Sequence, residues 1–217
     1  MNKEQFKKII EKLITDSPKK NFDQSVELIF SFKDLNLKKP EEQLDYFIKL
    51  PHGLGKKFKI CALVSTELAD EAKKICDSSI LAKDFPKYQK DIKSIKKLAS
   101  THKFFIAQAN IMQDVAKVFG RTLGPRYKMP NPKGGCVVPP KTSLKPLYEK
   151  LQDTIHIRAK DQPVFQTLIG KQSQKVEELA NNATSLYDSV IHHLPKEGNN
   201  LKSVFIKLTM SKPIKIA

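Results

Sequence analysis

Two styles of apolar patterning divide this chain, and their order restricts its fold more than any single motif does. From Ser25 to Phe32 the apolar residues alternate: Val26, Leu28, Phe30 and Phe32 share one phase, and Ser25, Glu27, Ile29 and Ser31 the other. Successive side chains of a strand point to opposite faces, so this segment predicts a strand with one well-buried face. From Phe58 to Ser65 the run is apolar apart from Lys59 and the closing serine, with no alternation. That is the pattern of a strand covered on both faces, as in a parallel sheet sandwiched by helices. The first style opens the chain, the second fills its middle, and the first returns at the end.

The opening predicts a helix over residues 3–14, with Phe6, Ile9, Ile10, Leu13 and Ile14 on one face. The strand of residues 23–32 follows. After a turn at Pro40, Leu44, Tyr46, Ile48 and Leu50 alternate again, which predicts a second strand pairing antiparallel with the first. PHGLGKK, Pro51 to Lys57, breaks the pattern. The middle then reads strand 58–65, helix 66–76, strand 79–82, helix 86–100, strand 104–107, helix 111–119 and a helix around 144–151. In the helix of 86–100, Tyr88, Ile92, Ile95 and Leu98 are expected inside, and Lys87, Lys90, Lys93, Lys96 and Lys97 outside. Strand–helix alternation of this kind predicts a parallel, Rossmann-like sheet. Beyond Asp153 the expectation is strands at 154–158 and 164–169, a long helix at 174–194 and a last strand at 202–210.

The fold class is therefore α/β and α+β. A discontinuous α+β domain, residues 1–60 and 152–217, carries an inserted Rossmann-like three-layer α/β domain, residues 61–151. Insertion at exposed turns is well tolerated. The two crossings, after Lys57 and near Asp153, make a natural hinge.

Charge narrows the function. There are 39 Lys and Arg against 23 Asp and Glu in 217 residues, a net charge of +16. Self-repulsion of that size is a cost to folding, which points to an anionic partner, nucleic acid first and a membrane surface second. A lysine-rich composition kept for solubility is the bland alternative. No apolar run reaches the ~18 residues of a membrane span, and the charged N-terminal segment reads as an amphipathic helix rather than a signal peptide. Cys61, Cys76 and Cys136 have neither disulfide-framework nor zinc spacing, so Cys61 and Cys76 are expected as core fillers in a cytoplasmic protein.

Catalytic patterns are missing. Gly53 and Gly55 precede the first buried strand instead of following it, so no dinucleotide fingerprint is present, and neither GLGKKF nor RTLGPRYK is a P-loop. The five histidines form no HxxxH or HExxH, and the paired carboxylates Glu41–Glu42 and Glu177–Glu178 fit solvated helix positions. A nucleotide-dependent enzyme using the central sheet is the alternative function, and no cofactor or metal is expected.

Two surfaces are candidates for an anionic partner. Gly120 to Lys133, GRTLGPRYKMPNPK, holds three Pro, two Gly, two Arg and two Lys. It is expected to be a stiff loop with no helix interior, offering Arg121, Arg126, Lys128 and Lys133 to phosphates. The lysine stripe of residues 87–97 fits phosphate contact or a solvated helix face equally. The second surface is the polar faces of the terminal strands, with Ser25 and Glu27 on one and Ser203 and Thr209 on another. Taken alone these are ordinary polar sheet positions.

The wording of the loop changes that reading. GRTLGPRYKMPNP closely resembles the LGPRGKMP signature of the ribosomal protein L-one family, the large-subunit stalk proteins, in their archaeal form. NFDQSVEL (Asn21 to Leu28), PHGLGKK, FFIAQA (Phe104 to Ala109) and KLTMSKPIKI (Lys207 to Ile216) resemble other family segments in the same order. The resemblance implies the two-domain architecture and a non-enzymatic role. It implies binding of large-subunit ribosomal RNA to build the mobile stalk near the tRNA exit site. It also implies assistance in release of deacylated tRNA, and repression of the protein's own message through an rRNA-like site. The expected partners are ribosomal RNA, exit-site tRNA and that mRNA, with no membrane, for a monomer within the cytoplasmic ribosome. The RNA contacts it implies are Phe22, Ser25, Glu27, Gln166, Thr167, Gly170, Lys171, Ser203, Thr209, Met210 and Ser211, with the basic loop secondary. Two positions depart from the family pattern: Ser211 and Tyr127 both stand where glycine is usual. If that second glycine has a positive φ, Tyr127 is strained by about 1–2 kcal/mol.

Overall fold

The computed structural model describes residues 2–140 and 142–216; residues 1, 141 and 217, assigned above to the two domains, lie outside the described residues. The chain begins with α1 (Lys3–Asp16), β1 (Ser25–Phe32) and β2 (Leu44–Lys49). The middle runs β3 (Ile60–Val64), α2 (Ala69–Ile75), β4 (Ser78–Leu81), α3 (Phe85–Lys90), α4 (Ile92–Thr101), β5 (Phe104–Gln108), α5 (Met112–Leu123), β6 (Val137–Val138) and α6 (Lys145–Gln152). The chain closes with β7 (Thr154–Ala159), β8 (Val164–Lys171), α7 (Val176–His193), β9 (Leu201–Leu208) and β10 (Ile214–Lys215).

These elements form two compact units, Met1–Lys56 with Asp153–Ala217, and Lys57–Gln152. The division falls four residues earlier at the first crossing and one later at the second than the apolar pattern suggests. Phe58 is the reason at both crossings: its backbone N–H and C=O are both bonded to the Gln152 side chain, at 2.8 and 2.9 Å, so the two residues fall together in the second unit. His52 and Gly53 stay with the first. The backbone N–H and C=O of His52 are both bonded to the Asn182 side chain, at 3.0 and 3.1 Å. Gln174 Nε2 donates to Gly53 O at 2.8 Å. The PHGLG segment is thus fastened to the first unit.

In the first unit an antiparallel sheet has the order β10-β9-β1-β8. The alternation of β1 comes out as read: Val26, Leu28 and Phe30 are fully buried and their neighbours are not. Helices α1 and α7 cover the inner face. Phe6 on α1 meets Tyr187 on α7 edge-on, ring centroids 5.9 Å apart, and Tyr187 stacks on Phe30 at 6.4 Å. The expected pairing of the first two strands does not occur. β2 pairs antiparallel with β7 in a separate two-stranded sheet, and β1 takes β8 and β9 as its neighbours. Sequence adjacency favours a hairpin, but β8 and β9, with their own buried inner residues, flank β1 on both sides.

The second unit has a parallel sheet of order β4-β3-β5-β6. Its central strands β3 and β5 are buried throughout, which is why their sequences are continuous apolar runs. Leu63, Phe105 and Ala107 pack with Ile95, Val115, Phe85 and Phe119 from the helices. Two expectations fail here. The helix of 86–100 is broken in two at Asp91, which has φ −114° and ψ 80° and accepts from the Ser94 backbone N–H at 3.1 Å. Aspartate caps a helix better than it continues one. The break leaves Ile92 46% exposed, not inside, and splits the lysine stripe between α3 and α4. Likewise Gly120 to Leu123 are the last turn of α5, not loop. Gly120 is tolerated there, and the helix ends only where Pro125 approaches.

Candidate nucleic-acid interface

At the end of the first unit's sheet, β1 begins as β9 ends, and the two strands are locked by reciprocal bonds. The Ser25 N–H donates to Thr209 Oγ1 at 3.0 Å, and the Thr209 N–H donates to Ser25 O at 3.1 Å. Lys171, at the end of β8, donates through Nζ to Ser25 Oγ and to Asp23 O, each at 3.0 Å. Both hydroxyls therefore act as acceptors within the protein. Each has its own proton left for an acceptor outside.

Gln24 lies beneath. It is 1% exposed. Its Oε1 accepts from the Met210 N–H at 3.1 Å, and its backbone O accepts from Gln172 N at 2.9 Å. Asp23 accepts from Ser173 through both N and Oγ, at 3.1 and 2.8 Å. This lattice fixes the two loops that carry the largest exposed apolar side chains of the unit. Phe22 is 50% and Met210 64% exposed, values that burial energetics alone would not favour.

Along the outer sheet face, Glu27 stands opposite Leu168 and Lys207, and Gln166 Nε2 donates to Glu27 Oε2 at 2.6 Å. The carboxylate is thus oriented on a rigid strand.

The other implied contact residues are placed differently. Thr167 is in register with buried Leu28 and so turns toward the inner face. Ser203 lies at the opposite end of β9, in register with Ser31, and is 9% exposed. Gly170 is buried, and a Cβ there would come within 2.4 Å of Gln174 Oε1 and of Leu179 Cδ2. Its place in the site is to admit the Gln174 amide, which accepts from Lys171 N at 2.7 Å. The Ser211 hydroxyl is engaged in its own turn. It accepts from the Leu208 N–H at 2.8 Å and donates to Lys212 O at 3.1 Å.

The structure brings Phe22, Ser25, Lys171, Thr209 and Met210 to one corner, with Glu27 and Gln166 on the adjoining face. Gln24, Asp23, Ser173, Gln174 and Asn182 support it and escaped the sequence reading. Two of them left a trace: Gln24 occupies the apolar phase of β1, and Asn182 the apolar face of α7. A polar residue in an apolar phase is costly to bury unless it is fully hydrogen-bonded.

These features meet in a known family. The chain matches the Ribosomal protein L1p/L10e family over residues 12–212. The chain belongs to this family. It is 41% identical to the large ribosomal subunit protein uL1 of Methanococcus voltae over 197 residues, 90% of each chain. It is 38% identical to uL1 of Methanothermobacter thermautotrophicus over 198 residues, 91% of each. With uL1 of Methanothermococcus thermolithotrophicus the identity is 37% over 216 residues, covering 100% of this chain and 99% of that protein. The family is one of structural ribosomal proteins, not enzymes.

In the second unit's parallel sheet a ligand crevice is expected beyond the carboxyl ends of β3 and β5, where successive connections leave in opposite directions. Gln108, the last residue of β5, is fully buried there; it accepts from the Ser65 N–H and donates to Glu67 Oε2 at 3.4 Å. Among the described residues no group of three His, Cys, Asp or Glu side chains could hold a metal ion, and no helix is long and apolar enough to cross a membrane. Burial pushes the Cys61 thiol up to about 12 and those of Cys76 and Cys136 to about 11.

The basic loop is partly self-occupied. Lys128 Nζ donates to Ala99 O and His102 O at 2.6 and 2.7 Å, and Arg126 Nη1 to Lys96 O at 3.2 Å. Lys128 thus satisfies carbonyls at the C-terminus of α4, where a helix favours positive charge, while Arg126, itself exposed, bonds a carbonyl in the middle of α4. Burial, and then the neighbouring Arg126, lower the pKa of Lys128. Arg121 and Lys133 are exposed. Tyr127 adopts φ 56°, the left-handed value at which a glycine would be unstrained.

Proposed function

We propose that this protein is a structural constituent of the large ribosomal subunit in the cytoplasm, and that it binds large-subunit ribosomal RNA through its first unit. Phe22, Ser25, Glu27, Gln166, Lys171, Thr209 and Met210 form the contact. The observation that carries this reading is the pair of exposed apolar side chains, Phe22 and Met210, held on a fully bonded polar lattice. A base or ribose edge can lie against them. Ser25 and Thr209 then donate to RNA oxygens, and Glu27 accepts from a 2′-hydroxyl or an exocyclic amine. A pre-bonded lattice loses little entropy on binding.

The same reading gives the stalk near the tRNA exit site as the place of assembly. It extends to assistance in release of deacylated tRNA, and to repression of the protein's own message where that message carries an rRNA-like site. The support for these two roles is the family membership.

The test is a competition between a stalk rRNA fragment and an unrelated RNA hairpin. Met210→Ala is expected to weaken binding to the stalk fragment about tenfold, or ~1.4 kcal/mol, with little change for the hairpin. Met210 is mostly exposed, so loss of fold does not confuse the result. Unchanged affinity for the stalk fragment would remove this corner from the interface.

A further inference from the structure

The turn after α5 holds a feature that ribosomal RNA binding by the first unit does not use. Leu123 to Lys128 close as a helix-terminating motif. The Lys128 N–H donates to Leu123 O at 3.0 Å and the Tyr127 N–H to Gly124 O at 2.9 Å. The residue before the last in such a motif is left-handed and is glycine by preference. Here it is Tyr127, at φ 56°. A non-glycine residue is strained there, and the ring is 50% exposed. Strain of this kind is held where the surroundings over-determine it, and it concentrates at binding sites.

The surroundings supply the rest. Lys128 ties the turn to the end of α4 through the carbonyls of Ala99 and His102, and Arg126 ties it to the middle of α4 through the carbonyl of Lys96. Helices α4 and α5 pack against each other. α4 turns Lys93, Lys96 and Lys97 outward, spaced three and four residues apart and so on one face. Arg121 is exposed on the last turn of α5. Neither α4 nor the segment Gly120–Lys128 contains an acidic residue. A half-open aromatic ring on a rigid turn, bonded to a helix whose outward charges are all cations, has the chemistry of a single-stranded nucleic-acid contact. The ring offers a face to a base, and the cations track the backbone.

We propose that Tyr127 is a stacking platform for an unpaired RNA base, with Lys96, Lys97 and Arg121 receiving the flanking phosphates. The site belongs to the second unit and does not depend on the corner at Met210. A duplex presents phosphates but no free base face, so the site selects single strands.

The test uses the full chain and a fluorescent single-stranded RNA of about eight nucleotides, within the usual span of such sites, with a duplex of the same length as control. Binding is read by anisotropy. Tyr127→Gly is expected to weaken the single strand roughly 5- to 100-fold, the effect of one stacked base. It should leave the duplex within about twofold, and Tyr127→Phe should bind the single strand like the parent. Glycine also relieves the left-handed strain, and the melting temperature of Tyr127→Gly, read beside that of Tyr127→Phe, separates lost binding from lost fold. Equal single-strand affinity of parent and Tyr127→Gly would overturn the proposal, as would equal weakening of single strand and duplex. Repeating the comparison in a Met210→Ala background separates the two sites. The effect of Tyr127→Gly should persist there, and its disappearance would place the single strand at the other unit and refute the assignment.

Discussion

Replacing Gly170 by alanine adds one methyl group at a position where the supporting lattice and the candidate interface meet. The new Cβ would lie 2.4 Å from Gln174 Oε1 and 2.4 Å from Leu179 Cδ2. Real carbon contacts do not approach so closely, and Leu179 is fully buried on α7. Gln174 is therefore the group that moves. It would lose the bonds to Lys171 N and Gly53 O, at about 1 kcal/mol each. Residual crowding against Leu179 adds about 1 kcal/mol or more. The expected loss is about 3 kcal/mol. Because the chain has two compact units, a single unfolding free energy is ill-defined. Urea-dependent hydrogen exchange on the β1 and β8 amides reads the first unit alone. The RNA consequence follows from Lys171: once its backbone shifts, its Nζ leaves Ser25 Oγ and Asp23 O, and affinity for the stalk fragment should fall several-fold. Gln174→Ala combined with Gly170→Ala should cost clearly less than the sum of the two, because both act on one contact. Exchange in Gly170→Ala within about 0.5 kcal/mol of the parent, a typical surface-substitution effect, would refute the reasoning.

Asp45 gives a pH-dependent case. Burial would raise its pKa, but hydrogen bonds from Lys160 (2.7 Å) and His156 (2.6 Å) outweigh this and hold it below the usual carboxylate value. A group with a depressed folded pKa stabilises the protein above its unfolded pKa, and that contribution vanishes as pH falls through the folded one. Asp45→Asn should cost about 1 kcal/mol near pH 7, and the difference from the parent should close below about pH 4; a difference independent of pH in urea titrations would contradict the ion-pair account. The three buried thiols, raised to about 11 to 12, should resist a disulfide reagent at pH 8 in the folded protein and react together on denaturation; fast labelling of any one in native buffer would show that its environment is open.

Sequence and structure agree where a local rule had no competitor. The alternation of β1 and the continuous runs of β3 and β5 state directly how many faces each strand buries. Expectations failed where a local rule was outbid. β1 does not pair with its sequence neighbour β2, because strands far away in sequence, β8 and β9, take both its edges. The helix of 86–100 broke at one residue, because the Asp91 side chain satisfies an α4 N–H better than the helix interior would. One of the four loop cations, Lys128, turned out to cap α4 instead of standing free in solvent, since composition reports charge but not which carbonyls lie in reach.

By itself the sequence determined the two-domain plan and the family, since periodicity and motif order are properties of the chain; its net charge of +16 favours an anionic partner. Only the tertiary structure decided which residues share a surface. Ser25, Lys171 and Thr209 are far apart in sequence and meet only because β1 lies between β8 and β9. Thr167 and Ser203 lie on the same strands, yet strand phase turns Thr167 inward and Ser203 sits at the far end of β9, while Gly170 adjoins the corner but is buried beneath it. Tyr127 shows the same division. The motif marked it as unusual, but its φ and its half-open ring, which make it a candidate contact, follow from the turn that Leu123 and Lys128 close.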